Sequence, residues 1–228
     1  MQPLTVSLIQ TDTRWHDPAA NRARFDRWFE DVPDSAQLVV LPEMFSTGFT
    51  MASAEVAEPM DGPTVGWMRD RAAALGRTLC GSVVIEDDGR FFNRLLWVPP
   101  DGAIESYDKR HRFRMAGEHE HYDAGARRCV VELGGWRILP LVCYDLRFPV
   151  WLRNRGDYDL LLAVANWPAP RQTAWNALLR ARAIENLAYA AGVNIVGTDG
   201  NGVPYTGGSA VYDPEGRTLA EPESRCPC

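Results

Sequence analysis

With 228 residues, 46% of them hydrophobic and 24% charged, the chain has the make-up of one globular domain and not that of a disordered, fibrous or membrane-embedded protein. A formal charge of −6 and a pI near 5.3 argue against general affinity for nucleic acid or an anionic membrane, since both require a basic surface. No run reaches the roughly 18 apolar residues of a membrane span, and Met1 leads straight into a strand-like stretch; with five scattered cysteines the expectation is a cytoplasmic protein.

In chain order, Leu4–Gln10 reads as a buried strand, and Asp17–Pro18 as an N-cap opening a helix through Phe29. A second strand follows at Gln37–Leu41, then a helix over Thr64–Leu75 with a glycine stop, then strands at Leu79–Ile85, Ile138–Cys143 and Leu160–Asn166. From Arg171 to Tyr189, Ala174, Ala177, Ala181, Ile184 and Ala188 recur in steps of three and four, which predicts a helix with one face of mostly small side chains. Trp175, Leu178 and Leu179 form a second apolar patch on it, so cover is expected on two sides, from a sheet and from a further helix or subunit. A last strand is expected at Val193–Thr198. The stretch Leu79–Glu105 reads strand, Asp-Gly turn, strand, Pro-Asp-Gly turn, and Val193–Ala220 repeats that order with Pro-Glu-Gly. Two such halves, each a helical layer backing a sheet, predict an α/β fold: an α-β-β-α sandwich of two pseudo-symmetric halves in a single domain over 1–228.

Three segments hold the parts needed to hydrolyse an amide: a nucleophile, a base, an oxyanion site and an acid for the leaving nitrogen. Leu41-Pro42-Glu43-Met44-Phe45 puts a carboxylate directly after a buried strand. Tyr107-Asp108-Lys109-Arg110-His111, with Phe113 and Gly117–Tyr122 behind it, is dense in ionisable groups. In Leu141–Pro149, Cys143 ends an apolar strand and begins a polar turn, which would expose its sulfur and aim the Tyr144 N–H at a developing oxyanion. Each has a structural reading as well: a helix-capping carboxylate, a solvated lysine, a core cysteine.

Together and in this order, the three segments resemble the nitrilase or carbon–nitrogen hydrolase superfamily, whose sites use a glutamate, a lysine and a cysteine. The resemblance runs on through Val164–Pro168, Arg182–Asn186 and Gly197–Gly202. Within the superfamily, Asp108–Tyr122 and Trp167–Arg171 are similar to the ω-amidase branch. The resemblance implies the sandwich fold, homodimers built through helical layers, a small-molecule amide substrate, and no metal or organic cofactor. It implies Cys143 as nucleophile, Glu43 as proton carrier, Lys109 with the Tyr144 N–H at the oxyanion, and Glu118 as a second glutamate near the lysine. Lys109 is also expected to favour the Cys143 thiolate. An ω-amidase substrate, 2-oxoglutaramate or 2-oxosuccinamate, carries a carboxylate remote from its amide, for which Arg147 and Arg171 are candidates; Arg147 has the alternative of pairing with Asp145 or Asp159. Phe45, Tyr144 and Trp167 are candidates for the pocket wall, with plain core as their other reading.

The ending Glu221–Cys228 is unlike the further segment expected of relatives, which leads us to expect a weakened assembly, and Cys226 and Cys228 read as incidental. Competing readings are a Cys-His-Asp hydrolase using His16, His111, His119 or His121, a metal site at His119 and His121, and a binding or assembly module with a hydrolase-like fold. Within the superfamily, another amidase, a carbamoylase or a nitrilase is the alternative to an ω-amidase.

Overall fold

The computed structural model describes residues 2–221, so Cys226 and Cys228 lie outside the described residues. The first half runs β1 (Val6–Leu8), α1 (Pro18–Phe29), β2 (Leu38–Val40), α2 (Ser53–Val56), α3 (Pro63–Leu75), β3 (Thr78–Asp87), β4 (Arg90–Val98) and β5 (Glu105–Asp108). The short α4 (Glu118–His121) and β6 (Val131–Leu133) lead to β7 (Trp136–Val142), α5 (Pro149–Leu152), β8 (Leu160–Val164), α6 (Gln172–Asn186) and β9 (Tyr189–Val193). The chain closes with β10 (Val196–Thr198), β11 (Pro204–Thr206), β12 (Ala210–Tyr212) and β13 (Thr218–Ala220).

One sheet has the order β1-β2-β3-β4-β5 and the other β13-β12-β9-β8-β7-β6. The first three strands of the first sheet are parallel and the next two antiparallel; β7, β8, β9, β12 and β13 repeat those pairings in the second. Because successive strand residues face opposite ways, Leu38, Val40, Cys80, Leu95, Trp97 and Tyr107 join the second sheet's Ile138, Leu141 and Val164 in one core. Val39, Leu41, Leu79 and Ile85 turn outward onto Phe25 and Phe29 of α1 and Val65, Met68 and Ala72 of α3. On the far side α6 covers the second sheet through Trp175, Leu179 and Ala183. The result is helix, sheet, sheet, helix.

The helix caps follow the sequence. Asp17 accepts from Ala20 N–H at 3.0 Å ahead of Pro18, and Gly76, at φ +63°, ends α3.

Three expectations need correction. α6 ends at Asn186, because Leu187 takes a left-handed cap at φ +48°; Ala188 is therefore outside the helix, and the strand begins at Tyr189, not Val193. The face of α6 that meets the sheet carries Trp175, Leu179, Arg182, Ala183 and Asn186, while Ala177 and Ile184 on the small-residue face are exposed in the single chain, which leaves the expected second cover to a further subunit as a proposal. The Asp199-Gly200 turn belongs to a two-stranded ribbon, β10-β11, inserted between β9 and its antiparallel neighbour β12, where the first half has only the Asp88-Gly89 turn.

Candidate active site

Residues that follow β2, β5, β7 and β8 converge at one end of the sandwich. Beyond β7 the chain turns sharply at Cys143, whose φ of +46° is unusual for a side chain with a Cβ; such a conformation costs roughly 1–3 kcal/mol and persists only where its surroundings hold it. Buried Asp145 does the holding: it accepts from Val142 N–H at 3.3 Å, His111 N–H at 2.8 Å and the Tyr107 hydroxyl at 2.8 Å, and a 2.7 Å hydrogen bond joins it to His111 Nδ1. The same carboxylate thus ties the cysteine turn to the lysine segment that follows β5. Lys109 is clamped further by bonds from its own N–H to Asn93 O and from Gly125 N–H to its carbonyl, each 3.0 Å. A Cβ at position 125 would stand 2.0 Å from the Asp108 carbonyl oxygen, so only glycine permits that crossing.

Glu43, Lys109 and Glu118 are fully buried together. Lys109 Nζ donates to Glu43 Oε1 at 2.9 Å and to the two Glu118 oxygens at 2.9 and 3.0 Å. Asn93 Nδ2 donates to Glu43 Oε1 at 2.8 Å and the Asn166 backbone N–H to Glu43 Oε2 at 2.8 Å; Glu118 also accepts from the Phe113 N–H. Burial opposes the Lys109 charge, but the carboxylates of Glu118 and then Glu43 outweigh it and push the ammonium's pKa up. For Glu118 burial is the larger effect and raises its carboxyl, with Lys109 pulling the other way.

The charges of Glu43, Lys109 and Glu118 all act on the Cys143 thiol. Burial first, and the Glu43 charge second, raise the thiol well above its ordinary range, and Lys109 only partly offsets them. Lys109 does favour the thiolate, as expected from its charge, but burial and the Glu43 carboxylate outweigh it, so the net shift of the thiol is upward.

Lys109, Cys143 and Asn166 open onto a cavity of about 450 Å3. Tyr144, Arg147, Trp167 and Arg171 line it, with Phe49 and Phe113 adding aromatic wall, and Asp199 and Tyr205 reaching it from the ribbon. The guanidiniums of Arg147 and Arg171 stand over the rings of Trp167 and Phe113 at 4.9 and 4.8 Å. The alternative partners for Arg147 are engaged elsewhere, Asp145 as above and Asp159 with Arg137 at 2.7 Å. Phe45 is the misplaced candidate. Met44 takes φ +41° directly after Glu43, and Phe45 packs edge-on to Phe25, 5.3 Å between centroids, in the core under α1 and α3.

The structure brings together four of the residues singled out, Glu43, Lys109, Glu118 and Cys143. None of the four histidines is among the principal influences on the Cys143 thiol; His111 is bonded to Asp145 and stacked on Phe148 at 3.6 Å. No three His, Cys, Asp or Glu side chains converge as metal donors among the described residues. The sequence does not single out Asn93 or Asn166, and it offers Asp145 only as a partner for Arg147, whereas the structure has it bracing the cysteine turn. A signal existed for Asn93, a buried amide in mid-strand β4, where asparagine is disfavoured without a specific partner.

A carbon–nitrogen hydrolase family model matches residues 5–225. The chain is 52% identical over 220 residues to omega-amidase YafV of Escherichia coli K12, covering 96% of this chain and 85% of that protein. It is 33% identical to 2-oxoglutaramate amidase of Bacillus subtilis, covering 95% and 85%. Among solved structures, the carbon–nitrogen hydrolase superfamily protein XC1258 of Xanthomonas campestris, which has an arsenic adduct in its active site, superposes with a TM-score of 0.95 at 53% identity, over 97% of this chain and 86% of that one. An amidase from Nesterenkonia, with acrylamide added to its active-site cysteine, superposes at 0.85 with 27% identity, over 96% and 89%.

Proposed function

Because the chain belongs to the carbon–nitrogen hydrolase family, we propose, from that premise, that it is an ω-amidase, releasing ammonia from 2-oxoglutaramate or 2-oxosuccinamate through a cysteine thioester. One observation carries the reading: a buried Glu43–Lys109–Glu118 cluster holds the Cys143 thiol at a cavity whose two arginines stand over aromatic faces. As substrate displaces water, Glu43 takes the thiol proton and the sulfur attacks the amide carbon, while Lys109 and the Tyr144 N–H stabilise the oxyanion. Collapse breaks the C–N bond, nitrogen takes the proton from Glu43, and ammonia leaves. Water activated by Glu43 then hydrolyses the thioester. Glu118 keeps the ammonium in place, and Arg147 and Arg171 bind the remote carboxylate.

The full residue range is read as one catalytic domain working in the cytoplasm, where a reducing environment preserves a thiol nucleophile. No helix among the described residues is long and apolar enough to cross a membrane.

The test is ammonia release from both oxo-amides by the wild type and Cys143→Ala, beside neutral amides and nitriles. We expect the oxo-amides to be preferred, activity to vanish in Cys143→Ala, and Arg147→Ala and Arg171→Ala to raise KM for the oxo-amides alone. Cleavage of other amides only would remove the ω-amidase assignment and leave the chemistry; no ammonia from any compound would remove both.

A further inference from the structure

Asn166 is held by three features that together point into the reaction. It is 4% exposed and borders the cavity beside Cys143. Its backbone N–H donates to Glu43 Oε2 at 2.8 Å, and its side-chain Nδ2 donates to the Glu43 carbonyl at 2.9 Å. A carbonyl oxygen only accepts, so this second bond fixes which end of the amide is nitrogen. The other end, Oδ1, is buried and has no hydrogen-bond partner among the described residues. An unpaired buried acceptor is costly, and a ligand that brings a donor to it recovers that cost.

The two Glu43 oxygens are unequal. Oε1 accepts from both Lys109 Nζ and Asn93 Nδ2, whereas among the described residues Oε2 accepts only the Asn166 N–H. Oε2 is therefore the oxygen with room for the proton taken from Cys143. We propose that Asn166 Oδ1 accepts an N–H of the substrate's leaving nitrogen, holding its lone pair towards Glu43 Oε2, and that this contact selects amides over esters. At collapse of the tetrahedral adduct the C–N bond breaks, its electron pair stays on nitrogen, and nitrogen gains the Oε2 proton to leave as NH3; the C–S bond is kept. An amide nitrogen offers Oδ1 a donor. An ester oxygen offers only lone pairs, so the same acceptor faces it without a bond.

This rests on the amidase reading above, and the experiment separates the two. kcat/KM, which reports steps through acylation, is measured for the ω-amide of 2-oxoglutarate and for the methyl ester of the same acyl group, with wild type, Asn166→Leu and the smaller Asn166→Ala. Both variants keep the backbone N–H on Glu43. We expect the amide-to-ester ratio to fall about tenfold or more, the scale of one hydrogen bond to a charge-developing group, the amide losing that much more than the ester. Equal losses on amide and ester would mean that Asn166 merely steadies Glu43, and an unchanged ratio would likewise overturn the assignment. If Asn166→Leu does not fold, Asn166→Ala is judged by the same ratio. Should the wild type ignore the oxo-amide but cleave another amide, that amide and its methyl ester replace the pair, so the ω-amidase reading falls while Asn166 is still tested; a wild type that cleaves no amide sinks both.

Discussion

Lys109 answers two buried carboxylates with one ammonium, and that imbalance governs the cysteine. Beside the cluster, burial and the Glu43 charge push the Cys143 thiol up, which favours its neutral form and accords with deprotonation by Glu43 in the proposed attack. The same shift couples stability to pH. A folded thiol that keeps its proton above its ordinary value of 9.0 stabilises the fold fully below that pH; above it the unfolded chain loses the proton first, and stability falls as pH rises. We expect urea titrations to show stability declining above pH 9, and Cys143→Ser to flatten that decline by up to about 1.4 kcal/mol per pH unit, the slope of one proton. Identical slopes in the two proteins would show that Cys143 is not held as the thiol. Buried Cys80, raised by its apolar surroundings, contributes to both proteins and so cancels in the comparison.

At the scale of elements, the site depends on how closely α6 approaches the second sheet. Gly192 in β9 lies under the helix, where a Cβ would be 2.6 Å from Leu179 Cδ2 and 2.8 Å from Trp175 Cζ2. Its absence lets Trp175 settle against the strand and donate from Nε1 to Gly208 O at 2.7 Å. From the same region Asn194 bonds the Trp167 backbone, at 2.7 Å to its N–H and 2.9 Å to its carbonyl, which places the cavity wall. We expect Gly192→Ala to destabilise the protein by about 1–3 kcal/mol through overpacking, read as a lowered melting temperature. An unchanged melting temperature would mean that the helix has slack at this contact. The α6 pattern also shows which of two periodic stripes meets the sheet. Its small residues recur as regularly as its large ones, but the stripe that buries is the one carrying Trp175 and Leu179, because larger side chains remove more apolar area from water.

For the molecule as a whole, the small-residue face of α6 presents Ile184 at 48% exposure, and Leu187 just beyond it is 81% exposed. We propose that it forms a homodimer through this outer helical layer, and expect light scattering after gel filtration to give twice the 25.5 kDa chain mass, with Ile184→Glu shifting it towards monomer. A monomer at all concentrations would remove that proposal. The sequence by itself determined the α/β sandwich, because alternating strand and helix runs with a repeated hairpin order leave few ways to bury both faces of two sheets. It also marked the segments that hold chemistry: Glu43 and Cys143 stand at the ends of strands legible in the sequence, the Lys109 segment is dense in ionisable groups, and the family resemblance joined the three. Only the tertiary structure decided that a carboxylate and burial outweigh a lysine at the Cys143 thiol, that Phe45 turns into the core while Phe49 reaches the cavity, and that Asn93, Asp145 and Asn166 brace the site. These depend on distances between residues up to 123 positions apart in the chain, and burial and charge act through space, not along sequence.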